Sequence, residues 1–149
     1  MTDFPSVTAY LSWDHDRLDA LLVRACDLLD RGDFAEARST FATFRSGLER
    51  HIRLEEEILF SEFERRTGMV AGPTQVMRIE HRHIEHALDR MGTALEASDR
   101  PTFATAYADL LEVLGPHNEK EEHILYPMTD RSLDETERQK LTRKLLAYS

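Results

Sequence analysis

The chain is poor in the residues that staple or break structure: one cysteine, five prolines and six glycines in 149 residues. A single Cys cannot close an internal disulfide. Cys26, set among Leu22, Leu28 and Leu29 with no basic pattern around it, reads as a small buried hydrophobe in a reducing compartment. No apolar run approaches the roughly 20 residues that a membrane span needs. The opening Met-Thr-Asp-Phe-Pro-Ser lacks the basic and apolar regions of a signal peptide, so the expected location is cytoplasmic. Positive charge is also scarce. Nineteen Lys and Arg stand against 28 Asp and Glu, a formal net charge of -9. That balance argues against a nucleic-acid partner, which needs a basic stripe, and against an anionic membrane surface. No useful β-alternation occurs anywhere.

What remains is helical. With 41% apolar and 32% charged residues the composition suits one compact domain spanning 1–149. Ser6 is a candidate N-cap for a helix to about Asp30, stopped by Gly32. Asp33 caps a second helix to about Thr67, closed by Gly68. Gly72-Pro73 opens a third, which ends near Ser98-Asp99. A fourth runs from about Pro101 to Tyr126, with a kink expected at Gly115-Pro116 and a stop at Pro127. Ser132-Leu133-Asp134-Glu135 has the capping-box pattern for a short fifth helix at about 133–147. Its Leu141, Leu145 and Leu146 either cover the bundle end or form a dimer contact. The fold class is therefore all-α: an antiparallel up-down-up-down four-helix bundle, core about 6–127, with a short C-terminal fifth helix.

The sequence also repeats itself. His51-x-x-x-Glu55-Glu56-x-Ile58-Leu59-Phe60 aligns with His117-x-x-x-Glu121-Glu122-x-Ile124-Leu125-Tyr126, 66 residues on. Asp14-His15 aligns with Glu80-His81 at the same offset. All four histidines fall on apolar helical stripes: His15 with Leu11, Leu18 and Leu22; His51 with Phe44, Leu48, Leu54 and Ile58; His81 with Met77, Ile84 and Leu88; His117 with Leu110, Val113, Leu114 and Ile124. Glu55 and Glu121 are carried inward with them.

Burying a carboxylate costs several kcal/mol unless a partner compensates, and a pair of cations supplies that partner. A lone buried His is more often a hydrogen-bonded core residue, but four in register exceed that reading. Imidazole and carboxylate together suit iron, zinc or manganese. Glu85, four residues after His81, is a further candidate ligand, with a supporting or solvent-facing role as the alternative. Asp19 holds the equivalent place after His15. Glu56 and Glu122 read as hydrogen-bonding support, and His83, His86 and His123 as surface residues. A ferritin-type centre needs two ExxH motifs, and only Glu80 to His83 provides one.

These residues resemble the hemerythrin-like, or HHE cation-binding, family through about Pro127. His15, His51 to Glu55, His81, and His117 to Glu121 meet its pattern, and Ile124-Leu125-Tyr126-Pro127 looks like its I-L-F-P ending; Ser61 stands where the first half often has proline. The resemblance implies two non-haem Fe ions, oxo- or hydroxo- and carboxylate-bridged, with Zn or Mn accepting similar ligands. It implies bridging by Glu55 and Glu121 and two terminal histidines per iron. Unlike the oxygen-carrying hemerythrins, which have HxxxH on the third helix, this chain has His81 to Glu85, and an anionic ligand there disfavours reversible O2 carriage. The expected function is binding or sensing O2, NO or peroxide, or storing and donating iron, as a metal-binding protein rather than a dedicated enzyme. The alternatives are a di-iron peroxidase or oxidase and a metal-free helical interaction protein. Expected partners are a small diatomic ligand or peroxide, with a redox partner or homodimer possible.

Overall fold

Capping chemistry sets the helix ends in the computed structural model, which describes residues 3–149; Met1 and Thr2, the first residues of the expected domain, lie outside it. The Ser6 hydroxyl accepts the Ala9 N–H and starts α1, Val7–Asp30. Asp33 likewise caps α2, Phe34–Leu54. This helix passes without a break into a five-residue π-helical turn, Glu55–Leu59, and then α3, Phe60–Thr67. Gly68, at φ 74°, ends that rod in a left-handed conformation that costs glycine nothing. Pro73 sits in the first turn of α4, Pro73–Glu96. Asp99 caps α5, Arg100–Lys120, which continues through a second π turn, Glu121–Leu125, into α6, Tyr126–Arg131. The last helix is α7, Glu135–Leu146. No strand occurs among the described residues, and the all-α bundle with a short C-terminal helix is as the sequence predicts.

Boundaries repeat as residues do. Shifting α1, α2 and the first π turn by 66 residues lands on α4, α5 and the second π turn, end for end. Only the tails of the halves differ.

Three expectations need correction. The fourth rod does not stop at Pro127 but runs on to Arg131. Proline normally breaks a helix by removing an N–H and crowding the carbonyl four residues back. Here it comes two residues after a π turn, where the ladder is already displaced: Tyr126 N–H reaches Glu121 O, five residues back. Pro116 is also inside a helix, α5, and lies on its exposed side, where the freed carbonyl can meet water. Second, the capping box of α7 is Asp134 with Glu137, while the Ser132 hydroxyl donates to Thr129 O. Third, Ile124 is exposed and Ile58 only half-buried, because each π turn inserts one residue and hands the inward place to Leu125 and Leu59.

The apolar interior is divided in two. One cluster, including Leu18, Leu22, Phe44, Leu48, Leu88 and Leu110, fills the end near the short turns at 31–33 and 97–99. The other, including Leu11, Phe60, Phe63, Met77 and Tyr126, fills the opposite end, and Leu141 and Leu145 of α7 belong to it. The fifth helix therefore covers the bundle end. Arg50 holds it there, its guanidinium donating to the carbonyls of Leu145, Leu146 and Tyr148. Cys26 is half-buried beside Tyr107 rather than sunk in the core, and burial raises its thiol pKa. No described helix is long and apolar enough to cross a membrane.

The start of α1 is held by α6. Asp130 accepts from the backbone N–H groups of Val7 and Thr8 and from the Thr8 hydroxyl. Replacing it by alanine leaves helix N-terminal donors without an acceptor and is expected to cost about 2 kcal/mol. A thermal melt of Asp130→Ala that matches the parent would remove this contact from the stability account.

Candidate metal centre

The two apolar clusters are separated along every rod by a polar layer. It contains His15 on α1, His51 and Glu55 on the second rod, His81 on α4, and His117 and Glu121 on the fourth. All six side chains are at most 3% exposed. The phase of each apolar stripe decides which acids join the layer. On α2 the inward face is broad, with Leu48, His51, Ile52, Leu54 and Glu55 all buried, and on α5 it steps from Leu114 to His117 to Glu121, so both faces include the residue four after the histidine. On α1 and α4 the seam moves only three residues, from His15 to Leu18 and from His81 to Ile84. The acid four residues on is then left at the flank. Glu85 accordingly lies apart from the cluster, with its side chain 39% exposed and paired with Arg82 at 2.7 Å. Asp19 stays out of it for the same reason.

Two donor groups result. Glu55, His81, His117 and Glu121 form one; His15, His51 and Glu121 form the other, and within each the potential ligand atoms lie within 4.8 Å of one another. Both carboxylates span the pair. Glu121 turns Oε1 toward His15 Nε2 (3.2 Å) and Oε2 toward His117 Nε2 (3.2 Å). Glu55 turns Oε1 toward His81 Nε2 (3.1 Å) and Oε2 toward His51 Nε2 (3.3 Å). The imidazoles are aimed from behind. His51 Nδ1 meets Asp14 at 2.8 Å and His117 Nδ1 meets Glu80 at 3.0 Å; His15 Nδ1 meets Glu122 at 2.7 Å and His81 Nδ1 meets Glu56 at 2.6 Å. These partners are themselves repeat mates, 14 with 80 and 56 with 122. A carboxylate on Nδ1 fixes the tautomer that leaves the Nε2 lone pair facing inward, the arrangement that metal-binding histidines use.

Charge in this layer is poised for a cation. Glu55 Oε1, His81 Nε2 and Glu121 Oε2 are buried without a hydrogen-bond partner. Such orphaned atoms are rare in folded proteins and each is costly. A nitrogen-and-carboxylate donor set fits a transition-metal ion. Burial acts to lower the histidine pKa values, but the carboxylates outweigh it. Glu55 and Asp14 push His51 up to about 10, Glu55 and Glu56 do the same for His81, and Glu121 and Glu122 bring His15 to about 8. Burial works to raise Glu121, yet His117 and His15 hold it well below the usual carboxylate range.

The sequence left three contributors unassigned. Asp14 and Glu80 were visible only as aligned acids preceding His15 and His81. Tyr126 was visible only as the aromatic closing the second motif. The π turn brings it in: a residue five positions after Glu121 would sit about 140° away on an α-helix, but the extra residue returns it to the glutamate's face. Its Oη donates to Glu55 Oε2 at 2.5 Å. Burial, with both glutamates beside it, raises the phenol pKa well above its ordinary value.

Raised histidine pKa values contribute stability that is complete below about pH 6.5 and is lost as the pH climbs through about 8 and on to about 10. The metal-free protein should therefore melt at progressively lower temperature from pH 7 to 10. Cation binding expels the same protons, so apparent affinity should rise over that window; a flat profile in both measurements contradicts the assignment. Separately, Asp14→Asn should weaken divalent-metal binding about 10- to 100-fold while leaving the helical content intact, as monitored by metal titration and circular dichroism.

Among known proteins, no curated sequence and no solved structure matches this chain. A family model, the hemerythrin HHE cation binding domain, matches residues 6–129, the span that carries all four histidines and both spanning glutamates. The chain belongs to the hemerythrin HHE cation-binding domain family.

Proposed function

We propose that this protein is a non-haem di-iron protein that binds or senses O2, NO or peroxide, or stores and donates iron. The observation that carries the reading is the pair of buried carboxylates, each with one oxygen beside each histidine pair. A single ion leaves half of those oxygens uncompensated, whereas two ions use them all. His15 and His51 hold one position, His81 and His117 the other, with Glu55 and Glu121 between them. Asp14, Glu80, Glu56 and Glu122 orient the imidazoles. Iron in both positions supplies a redox-active centre with coordination sites left for a small exogenous ligand.

The surroundings favour a small ligand over an organic substrate. The space against the six side chains is about 10 Å³, with Leu48, Ile52, Ile84 and Leu114 among its walls. That is about the room one water needs. The half-buried Asn118 is the polar side chain that joins these apolar residues in the wall.

Aerobic iron loading followed by elemental analysis is expected to give two irons per chain, and Glu121→Ala to retain fewer than one. Iron held at 100 times its dissociation constant adds about 2.7 kcal/mol to folding, so chelation should lower the melting temperature of the parent and barely move that of Glu121→Ala. Absence of bound iron, or a single equivalent, overturns the di-iron reading.

A further inference from the structure

The duplicated centre repeats the same residue at 15/81, 51/117, 55/121 and 56/122 and an acid at 14/80; it differs at 52/118, isoleucine against asparagine, and at the aromatic that closes each motif. Position 60 is phenylalanine; its mate, position 126, is tyrosine. Both come directly after a π turn and both are wholly buried. Phe60 lies flat over His81, ring centroids 5.6 Å apart, and brings no polar atom. Tyr126 packs beside His15 and brings a hydroxyl into the centre.

That hydroxyl stands where the ligand atoms of one position converge. Tyr126 Oη is 2.5 Å from Glu55 Oε2, 2.9 Å from Glu121 Oε1, 3.2 Å from His51 Nε2 and 3.3 Å from His15 Nε2. The orphaned atoms Glu55 Oε1, His81 Nε2 and Glu121 Oε2 all belong to the other position. The same inequality appears in the carboxylates: Glu55 Oε2 and Glu121 Oε1, on the side of His15 and His51, take the phenol as partner, whereas their other oxygens, on the side of His81 and His117, take none.

With the imidazoles neutral, as coordination requires, the four atoms around the hydroxyl all present lone pairs, and the phenol has one proton to give. A cation satisfies all four at once. The phenol oxygen has nowhere else to go, since the ring is 0% exposed and locked in the core with Leu11, Leu59 and Phe63. We propose that Tyr126 is a metal ligand, its phenolate oxygen joining His15, His51 and the near oxygens of Glu55 and Glu121 at one position. When that ion enters, the metal–oxygen bond forms, the O–H bond breaks and the proton leaves to solvent, with no electron transferred. The two ions are then chemically unlike, one held by nitrogen and carboxylate, the other by nitrogen, carboxylate and phenolate. This inference rests on the di-iron reading.

Ferric iron bound to a phenolate absorbs in the visible, and excitation in that band enhances tyrosine ring vibrations in the Raman spectrum. Iron-loaded parent protein should show both, and Tyr126→Phe should lose both while still binding iron; phenylalanine already occupies the matching position of the other half. The measurement does not depend on that variant folding. Ring-deuterated tyrosine incorporated into the parent should shift the enhanced vibrations, and the hydroxyls of Tyr10, Tyr107 and Tyr148 meet Arg50, Cys26 and Glu57 instead of the six donor side chains. Iron bound with no enhanced tyrosine vibration in the parent overturns the phenolate ligand and leaves the di-iron reading standing. No iron bound to the parent at all overturns both.

Discussion

Four imidazoles and two carboxylates occupy the middle of an otherwise apolar bundle, and the structure is organised around keeping that charge compensated. Isolated, a buried carboxylate destabilises a fold by several kcal/mol. Here each one faces histidines from two different rods, and the histidines lean on a further ring of acids. Arg17 at Asp14, Arg82 at Glu56 and Lys120 at Glu80 close three of those contacts at the surface. Charge thus alternates outward from the centre, acid, imidazole, acid, cation, and no member is left without an opposite neighbour. The apolar clusters on either side hold the layer dry, which strengthens every link in the chain.

Geometry at this centre comes from helix phase as much as from residue choice. The same offset of four residues carries Glu55 and Glu121 inward and leaves Asp19 and Glu85 outside, because the inward face after His51 and His117 extends to the fourth residue and after His15 and His81 it does not. The π turns then shift the phase of the rods beyond the glutamates. They bury Leu59 and Leu125 in place of their isoleucine neighbours and present Phe60 and Tyr126 to the layer. A π turn sacrifices regular hydrogen bonding, and such turns gather at functional sites. Both in this chain begin at a spanning glutamate.

Much of this was legible in the residues. Caps at Ser6 and Asp33, the glycine stop at 68 and the 66-residue repeat gave the rods and their order, and apolar periodicity placed all four histidines inside. The position of Glu85 was not, since Leu54 marks the same three-residue step after His51 that Leu18 and Ile84 mark after His15 and His81. The π turns were not. Glu-Glu-x-Ile-Leu reads equally well as α-helix, and the choice rests on tertiary packing of the polar layer against the lower core. With the turns hidden, the run through Pro127, the exposure of Ile124 and the arrival of Tyr126 were hidden as well. The roles of Asp14 and Glu80 needed distances, because an acid beside a histidine in sequence points away from it on a helix and serves a histidine on another rod.

Neither helical hairpin owns a complete ligand group. The set containing His81 and His117 borrows Glu55 from the first half, and the set containing His15 and His51 borrows Glu121 from the second. Metal capture would therefore report on the docking of the halves, since an ion would meet its full donor set only once both hairpins had closed on each other. Joined to an identical copy about a twofold axis, one hairpin alone could furnish an equivalent centre; tethering the two in a single polypeptide makes assembly independent of protein concentration. It also releases the copies from the requirement of identity, and a phenylalanine facing a tyrosine across the centre is a difference that only a tethered pair can keep.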